Sequence, residues 1–501
     1  MASFAFETDV LIVGAGPVGL FAANECARRG MKWRLVEERA HQSEHSKALA
    51  IFPRTLEIFD MAGVVAPFVS RANRVTKLLV STHQRTLGRM EFKPEGSPYG
   101  YVAMVPQDVT EALLVETLRA RGGWLSYETR FVDAEEDADG VTVRLERTAG
   151  GRIETIKSRA KYVVGCDGAH SAVRHQLGLE FEGAAYKDTY LLADIETNEA
   201  LPADEMQLCP SEMGPLAVFP MSATRRRIVA TTKEPAGDAP SLEMVRQILK
   251  ERAPMELEAK SLHWSSYFKI HHRQTKEMHK GRMFIAGDAA HIHSPFGGQG
   301  MNTGLQDAWN LMWKLDMTLR GHGNERLLES YSAERRPVIK SVVELTDRMT
   351  RGMGTANWLA QAVRDTVIPV ATRLAPVEHA VVARLSELGV SYEGSPIVEG
   401  PGERCFEDWM RGGNGLMGRY VLLAPGAVVG HGPLAGLVEE LGEVLEIRAR
   451  EEDKKSEAMT LVRPDGYVAW EAKRGAAVDV IEVATAQVKE LLRKQTAVNE
   501  M

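Results

Sequence analysis

Cysteine is scarce in this chain, and the cysteines present do not come in pairs. The 501 residues contain four of them, Cys26, Cys166, Cys209 and Cys405, with no CxxC motif and no zinc-ligand spacing. This excludes a disulfide scaffold and a cysteine zinc site, and it is typical of reduced thiols inside the cell. We therefore expect a cytoplasmic protein.

The sequence also lacks a long apolar segment and a surplus of positive charge. No uninterrupted apolar run approaches the roughly 18 residues that cross a bilayer, and the opening MASFAFETDVLIVG has no features of a signal peptide. The net charge of −7 gives no general attraction to nucleic acid or anionic lipid. The one tight basic run, Arg225-Arg226-Arg227, is interpreted as a solvated turn. We expect neither nucleic acid nor a membrane as partner.

The first forty residues predict a strand, a helix and a second strand around a glycine-rich turn. Asp9–Val13 is a run of mostly β-branched residues suited to a buried parallel strand. GAGPVG follows with GxGxxG spacing, a helical pattern runs to Arg29, and Gly30 is a suitable C-terminal stop. Trp33–Val36 then forms the second strand. The segment indicates a dinucleotide-binding fold of the Rossmann type.

Each residue type in this turn has a physical reason. Gly14 allows the tight turn, Gly16 lets a pyrophosphate approach the backbone, and Gly19 lets helix and strand pack closely. The helix N-terminus offers free N–H groups and a partial positive charge to phosphate. Glu37, about twenty residues on, can accept from a ribose hydroxyl. A second match, GGNGLMG at 412–418, lacks the preceding strand and the following helix, and is interpreted as a loop.

Two later segments repeat the pattern of a strand followed by a Gly/Asp turn. Tyr162–Gly165 precedes Asp167-Gly168, after which Ser171 and Arg174 open a helix. Met283–Ala286 precedes Gly287-Asp288 in the same way. The stretch SPFGGQGMN then leads into an amphipathic helix.

The stretches GAGPVG, GCDGAHSAVR and AGDAAHIHSPFGGQGMN, in this order, resemble the group A flavoprotein monooxygenases, also called FAD-dependent aromatic hydroxylases. The resemblance covers roughly residues 8–345. It implies an α/β fold with a Rossmann-type FAD-binding domain like that of para-hydroxybenzoate hydroxylase, and a β-sheet substrate domain. The expected divisions are an FAD-binding domain of residues 1–75, 106–185 and 281–337, a substrate domain of residues 76–105 and 186–280, and a helical connector of residues 338–394.

The remaining residues, 395–501, have a different pattern. A strand, RYVLLA, is followed by a helix, a second strand and a hairpin whose Asp465-Gly466 turn suits a tight connection, with a helix at the end. This order resembles the thioredoxin-like C-terminal domain of the phenol-hydroxylase branch. Because the CxxC motif is absent, Cys405 is expected to be structural or a dimer contact.

The resemblance also implies, by position, which residues hold FAD. They are Gly14, Gly16, Pro17, Gly19, Glu37, Glu38, Lys47, Gln107, Asp167, Arg174, Gly287, Asp288, Pro295, Gly298, Gly300, Met301 and Asn302. Lys47 stands where the family usually has arginine, so it keeps the charge but loses the planar fork that grips phosphate.

The activity implied by the resemblance is an oxygenation in two halves. NADPH or NADH reduces FAD, and dioxygen then gives a flavin hydroperoxide whose terminal oxygen is transferred to an electron-rich ring, usually a phenol. The site must orient the reacting atoms and exclude water. Pro295 is the catalytic candidate, through its carbonyl group; alternatively it simply ends the preceding extended segment.

The histidines near Asp288 allow another interpretation. His291 and His293 lie two apart in an extended segment, as in some metal sites. A stable site needs a third ligand and supporting partners, and the flavin loop uses the same residues. We expect no metal.

Substrate contacts are predicted from strand alternation. PLAVFPMS separates Ala217, Phe219 and Met221 from Leu216 and Val218. Phe219 and Met221, with Met213 nearby, are predicted to line the pocket; the alternative is that they are core residues. A base that draws off the phenol proton remains open among Tyr190, Tyr267 and His45.

Three functions remain in view. The first is NAD(P)H-dependent hydroxylation of a small phenolic or polycyclic aromatic substrate by dioxygen. The second is oxidation of a non-phenolic natural product or antibiotic on the same scaffold, including oxygen insertion into a ring. The third is a non-catalytic FAD-bearing binding or assembly protein. The chain is expected to be a monomer or a homodimer.

Overall fold

The structure, a computed structural model, describes residues 4–43, 46–197, 202–232, 235, 237–253, 257–292, 294, 297–353, 369, 375–413, 417–426, 429, 433–450, 459–472 and 478–495. The helices within these ranges are α1 (Pro17–Arg29), α2 (Pro53–Met61), α3 (Val65–Arg71), α4 (Gln107–Ala120), α5 (Ala172–Leu177), α6 (Leu242–Arg252), α7 (Gly300–Leu319), α8 (Glu325–Met353), α9 (Ala375–Leu385), α10 (Pro433–Leu441) and α11 (Val478–Gln495).

The strands, in chain order, are β1 (Glu7–Val13), β2 (Trp33–Val36), β3 (Ala50–Ile51), β4 (Asn73–Val75), β5 (Lys77–Ser81), β6 (Thr86–Glu91), β7 (Val102–Met104), β8 (Leu125–Ser126), β9 (Thr129–Asp137), β10 (Gly140–Ala149), β11 (Arg152–Gly165), β12 (Phe181–Thr197), β13 (Glu205–Cys209), β14 (Leu216–Pro220), β15 (Arg225–Thr232), β16 (Ala259–Thr275), β17 (His279–Lys280), β18 (Met283–Ile285), β19 (His291–Ile292), β20 (Tyr420–Ala424), β21 (Leu445–Ala449), β22 (Thr460–Val462) and β23 (Val468–Glu471).

The first sheet brings together three distant parts of the chain. Its order is β17-β18-β11-β1-β2-β8, and the pairs β18-β11, β11-β1, β1-β2 and β2-β8 are all parallel. The registers align the carboxyl ends, because Val13 lies opposite both Val36 and Gly165, and Gly165 lies opposite Ile285. The turns that follow β1, β11 and β18 therefore meet at one edge of the sheet, which is where open α/β sheets bind ligands.

The second sheet is an eight-stranded wall in the order β19-β16-β12-β15-β14-β13-β5-β6. Its two longest strands, β12 and β16, pair antiparallel along most of their length. One face packs on α6 through a cluster that includes Leu216 and Val218. The other face packs on residues 49–52 through a cluster that includes Ala217. A third sheet has three strands in the order β3-β7-β4. Along the chain, β3 and β4 lie between β2 of the first sheet and β5 of the second, and β7 lies between β6 and β8.

The C-terminal sheet has the order β21-β20-β22-β23, with β20 parallel to β21 and antiparallel to β22. It packs with α10 and α11 around a core that also contains Trp313 and Leu327 from α7 and α8. The βαβ unit followed by a hairpin and a helix is the predicted thioredoxin-like arrangement. The predicted fold class is confirmed.

Two predicted domain limits fall inside regular elements. The limit at residue 185 lies within β12, and the limit at residue 337 lies within α8, which contains Pro337. The chain therefore passes between the expected domains along a continuous strand and a continuous helix.

The predicted solvated turn at Arg225-Arg226-Arg227 is wrong. These residues begin β15, which lies between β12 and β14, and the side chains of Arg226 and Arg227 are buried. The turn expected there lies just before the strand, at residues 221–224. Burial is possible because Arg227 has a carboxylate partner, Asp194, on the neighbouring strand.

No helix among the described residues is both long enough and apolar enough to cross a membrane.

Candidate functional site: the glycine turns and the surfaces beside them

The first glycine turn is fixed by close backbone packing. Gly14 has a φ of +98°, and a Cβ there would lie 2.5 Å from the carbonyl oxygen of Cys166. A Cβ on Gly19 would lie 1.9 Å from the carbonyl oxygen of Gly14. These two positions therefore accept only glycine, for reasons internal to the protein.

Gly16 differs, because a Cβ there would meet no protein atom within 4 Å. It is the N-cap of α1 and supplies no side-chain cap, and Pro17 begins the helix, where its missing N–H is no loss. The free N–H groups of the first turn face an open cradle with no acidic side chain in that turn. Such a helix end binds a phosphate or another anion.

Glu37 lies at the end of β2, beside this cradle, and is largely buried. Its Oε2 accepts from the Ala15 N–H at 2.6 Å, and its Oε1 accepts from Arg39 Nε at 2.8 Å. Burial alone would raise the pKa of this carboxyl, but the bonds from Arg39 and Ala15 outweigh it and the pKa is lowered. Glu37 is thus an ionised acceptor held against the glycine turn, whereas the side chain of Glu38 is exposed.

The second turn, after β11, is tied to the first and to the third. The Asp167 carboxylate accepts from Ser171 Oγ at 2.6 Å and from the Val173 N–H at 3.2 Å, which fixes the start of α5. Burial raises the pKa of Asp167, against the effect of these bonds. Arg174 donates to the carbonyl oxygen of Ala289 at 3.0 Å, beside the third turn.

The third turn, after β18, places Asp288 where its side chain is accessible to solvent. Gly287 adopts the left-handed conformation with a φ of +62°. Asp288 is nevertheless surrounded by protein atoms, and the resulting desolvation raises its pKa, opposed by the charges of His291 and Lys47.

Asn302, in the first turn of α7, joins the flavin-loop segment to β3. Its Oδ1 accepts from the Phe52 N–H at 3.0 Å, and its Nδ2 donates to the carbonyl oxygens of Ala50 at 2.9 Å and Gly298 at 3.1 Å. The side chain of Asn302 therefore bonds to backbone groups. Its role toward a ligand is indirect: it fixes the N-terminus of α7, where Gly300 begins the helix and Met301 is buried.

Gln107 performs a similar task at the start of α4. Its Oε1 accepts from the Ala48 N–H at 3.1 Å, and its backbone N–H donates to the carbonyl oxygen of Ala48 at 3.0 Å. The segment around Lys47 is therefore held between α4 and the cleft, with the Lys47 side chain exposed.

Several predicted residues fall outside the described part of the chain. Pro295, His293 and His45 are among them. His291 is described: its Nε2 lies 2.6 Å from Asp307 Oδ2, so this imidazole is engaged by a carboxylate.

The predicted substrate residues divide between the ends of β14. Phe219 and Met221 are half-buried and pack on the cluster that contains Phe52. Met213 is 41% exposed and lies in the turn before the strand, where the neighbouring Gly214 accepts from Arg252 of α6. The structure thus brings Phe219 and Met221 together, and it sets Met213 apart from them.

The base candidates divide in the same way. Tyr190 is buried on the face shared with Phe219, and desolvation raises its pKa well above the usual range. Tyr267 packs on the opposite face, where its hydroxyl lies 3.0 Å from the sulfur of Met244 in α6.

Among the buried charge pairs that sequence reasoning missed, two hold segments of the cleft. Arg227 donates to both oxygens of Asp194, at 2.7 and 2.8 Å, and its Nη1 donates to the carbonyl oxygen of Ala48 at 2.9 Å. Asp307 accepts from Arg335 at 2.7 Å. The helical pattern gave no signal for the second pair, because Asp307 lies on the side opposite the apolar stripe of Leu305, Trp309 and Met312.

The cleft fits FAD. The Gly16 cradle offers space and free N–H groups for a pyrophosphate, Glu37 lies beside it, and a second helix N-terminus, that of α7, lies past the Asp288 turn. These features form a flavoprotein site of the Rossmann type, completed by two distant Gly/Asp turns.

The family model described as FAD binding domain matches residues 7–346. This chain belongs to that family, the group A flavoprotein monooxygenases. It is similar to the 6-methylpretetramide 4-monooxygenase of Streptomyces rimosus, at 32% identity over 98% of this chain and 95% of that protein. It is also similar to the rifampicin monooxygenase of Streptomyces venezuelae, at 31% identity over 92% of this chain and 95% of that protein.

Among solved structures, the OxyS anhydrotetracycline hydroxylase from Streptomyces rimosus matches with a TM-score of 0.78 and 30% identity, covering 98% of this chain and 99% of that chain. The chain is thus an FAD-dependent monooxygenase, with dioxygen as co-substrate and NAD(P)H as reductant. The interpretation as a non-catalytic binding protein is not supported.

Proposed function

We propose that the substrate is a phenol of several fused rings, bound between the second sheet and residues 49–52. The supporting observation is a row of apolar side chains on that sheet face that are only half-buried: Phe219, Met221, Trp264 and Phe268. A face completely covered by another layer would bury such side chains. Their exposure marks an apolar cleft with aromatic walls, suited to flat fused rings.

A domain division accompanies this proposal. We assign FAD to residues 1–75, 106–185 and 281–337, substrate to residues 76–105 and 186–280, and connecting and thioredoxin-like roles to residues 338–394 and 395–501. The residues that would hold the cofactor are Gly14, Gly16, Pro17, Gly19, Glu37, Glu38, Lys47, Gln107, Asp167, Arg174, Gly287, Asp288, Pro295, Gly298, Gly300, Met301 and Asn302.

Bound FAD would supply the redox chemistry, taking a hydride from NADPH or NADH and activating dioxygen. The chain's own part is binding and orientation. The N-terminus of α7 would favour negative charge on the ring system beside it. The apolar sheet face would exclude water from the reacting atoms.

The test is a panel of phenols matched in substitution and differing in the number of fused rings. Purified protein is supplied with FAD, NADH or NADPH, and air. Oxidation of the reductant should rise most with the fused-ring members, with labelled oxygen from dioxygen entering the product. Equal stimulation by single-ring phenols would contradict the proposed substrate class.

Two methionine variants locate the substrate cleft. Met221→Ala, on the half-buried face, should raise the KM of the best substrate about three- to tenfold, because apolar contact is lost. Met213→Ala, in the exposed turn at the other end of β14, is the matched control and should leave it unchanged. The reverse result would place the substrate at the α6 side of the sheet.

A second candidate is oxidation of an antibiotic or another non-phenolic natural product, including oxygen insertion into a ring. The similarity to a rifampicin monooxygenase favours it. Adding rifampicin and non-phenolic polycyclic compounds to the same panel separates the two candidates. We further propose a cytoplasmic protein that is a monomer or homodimer, which size-exclusion chromatography with light scattering would decide.

A further inference from the structure

We propose that the C-terminal domain positions the cofactor loop through its buried turn, residues 463–467. This inference rests on the proposed cofactor site. The thioredoxin-like domain, which lacks the CxxC motif, would support from behind the loop formed by residues 287–292 and 297–302.

The turn is built tightly and then buried. Arg463 N–H donates to the carbonyl oxygen of Tyr467 at 2.8 Å, and Gly466 takes the left-handed conformation with a φ of +76°. Hairpin turns ordinarily lie on the surface. Here the side chains of Arg463, Asp465 and Tyr467 are all at most 1% exposed. The turn is therefore inserted into the molecule.

Charged side chains of α7 and α8 form ion pairs with the turn. Arg463 donates to both oxygens of Glu334, at 2.6 and 2.9 Å, and to Asp465 at 2.6 Å. Lys314 donates to Glu334 at 2.8 Å. All four groups are buried, and the two positive and two negative charges balance. Such a cluster is costly to break, since each group left alone would be an unpaired buried charge.

The contacts continue from the turn to the cofactor loop. The rings of Tyr467 and Tyr392 lie 4.3 Å apart between centroids. Tyr392 Oη accepts from Arg335 at 3.1 Å, and Arg335 donates in turn to Asp307 at 2.7 Å and to the carbonyl oxygen of Thr303 at 3.1 Å. Thr303 belongs to the first turn of α7, so Arg335 holds the helix N-terminus directly.

Asp307 completes the connection. Its Oδ2 accepts from the Gly287 N–H at 3.0 Å and lies 2.6 Å from His291 Nε2, so one carboxylate fixes both ends of the turn that carries Asp288. A parallel connection runs through Arg54, which donates to the Tyr467 hydroxyl at 3.3 Å and lies two residues after Phe52. The contacts of the turn thus reach the cleft from two sides.

Positioning of this kind has a reciprocal consequence. If the turn stabilises the loop that binds FAD, FAD must stabilise the turn by the same free energy. In the wild-type protein, hydrogen–deuterium exchange should therefore slow on FAD binding in peptides from residues 459–472. Peptides from α6, which packs on the face of the second sheet opposite residues 49–52, should change little. Unchanged exchange at 459–472 while FAD is bound would overturn the inference.

A pair of matched variants separates positioning from general stability. Tyr392→Phe removes only the hydroxyl that accepts from Arg335. Tyr420→Phe removes a hydroxyl that lies 2.6 Å from Gln495, so the bond it loses is to α11 and not to Arg335, which holds the cofactor loop. Both tyrosines are buried and each loses one hydrogen bond.

Both variants should lower the urea midpoint of unfolding to a similar extent. Only Tyr392→Phe should raise the Kd for FAD, by about three- to tenfold in a flavin fluorescence titration, and alter the visible circular dichroism of the bound flavin. Equal FAD affinity and equal flavin spectra in the two variants would overturn the inference. Absence of FAD binding by the wild-type protein would instead contradict the proposed function.

Discussion

Gly16 and Gly19 differ in what a methyl group would meet at each position. At Gly19 it would collide with the Gly14 carbonyl oxygen at 1.9 Å, whereas at Gly16 it would enter open space. Gly19 is required by the fold, whereas Gly16 is required by the ligand that occupies the cradle. The GxGxxG spacing predicted both, because each requirement is set within a few residues of chain.

Gly16→Ala should separate folding from cofactor binding. Its φ of −72° is ordinary for alanine, so the apoprotein should keep its urea midpoint nearly unchanged. The added methyl would occupy the cradle and raise the Kd for FAD at least about tenfold, equivalent to about 1.4 kcal/mol. Gly19→Ala is the contrasting variant and should lose the folded state. Unchanged FAD affinity in Gly16→Ala would show that the pyrophosphate lies elsewhere.

Glu387 is a strained and buried acid that no sequence pattern indicated. Its φ is +60°, unusual for a side chain of this size, and it accepts from Gln306 Nε2 at 2.6 Å. Burial raises its pKa to about 8, against the opposing charge of Arg335. Between the unfolded pKa, near 4.5, and the folded value, the folded protein holds a proton that the unfolded chain has released. Stability is therefore lost progressively as pH rises through this window.

Glu387→Gln should remove this loss. The variant should match the wild type in the free energy of unfolding near pH 4.5 and exceed it increasingly up to pH 8, by on the order of 3 kcal/mol at pH 7. Urea unfolding at several pH values measures the difference. Glu393→Gln, at an exposed position in the same segment, is the control and should show no such trend. A constant difference across pH would contradict a buried, protonated Glu387.

At the scale of elements, the hydrophobic pattern and the residues that end helices predicted most of the strands and helices around the cofactor site. β2 and the αL residue Gly30 lie where the pattern placed them. The same reasoning failed at Arg225-Arg226-Arg227, because three adjacent charged residues predict a solvent-exposed segment unless a partner of opposite charge is known. The partner, Asp194, lies 33 residues away on β12, and only the strand pairing brings it close.

Strand β15 supplies the test of that pair. Arg227→Met leaves Asp194 buried without its bidentate partner and should lower the free energy of unfolding by about 3–5 kcal/mol. Arg225→Met, on the same strand, is the control: Arg225 lies 3.8 Å from Asp194 with its side chain 42% exposed, and its loss should cost less than about 1 kcal/mol. Equal effects in urea unfolding would mean that burial of Arg227 contributes nothing.

At the scale of the whole molecule, long-range contacts decide how the parts join. The sequence predicted three distant turns around one cofactor, since each turn carries its own motif. It did not predict the insertion of the 463–467 turn, because Arg463 and Glu334 are separated by 129 residues and neither belongs to a motif. The core around the C-terminal sheet likewise contains Trp313 and Leu327 from elements assigned to the FAD-binding part.

We therefore expect the protein to unfold as one cooperative unit. Release of FAD, loss of far-UV circular dichroism and the change in tryptophan fluorescence should superimpose on a single urea transition. The shared core and the buried charge cluster leave no boundary at which one part can unfold alone. Separate transitions, with the C-terminal sheet melting before flavin is released, would contradict this expectation.

The separation of Arg463 from Glu334 also bears on biosynthesis. A ribosome adds about 5–20 residues per second, so roughly 6–25 s pass between synthesis of the glutamate and synthesis of its arginine. Until then the nascent chain holds a carboxylate and a lysine destined for its interior with their partner not yet made. Chaperone occupancy on translating ribosomes should therefore persist until the codon of Arg463 has been read.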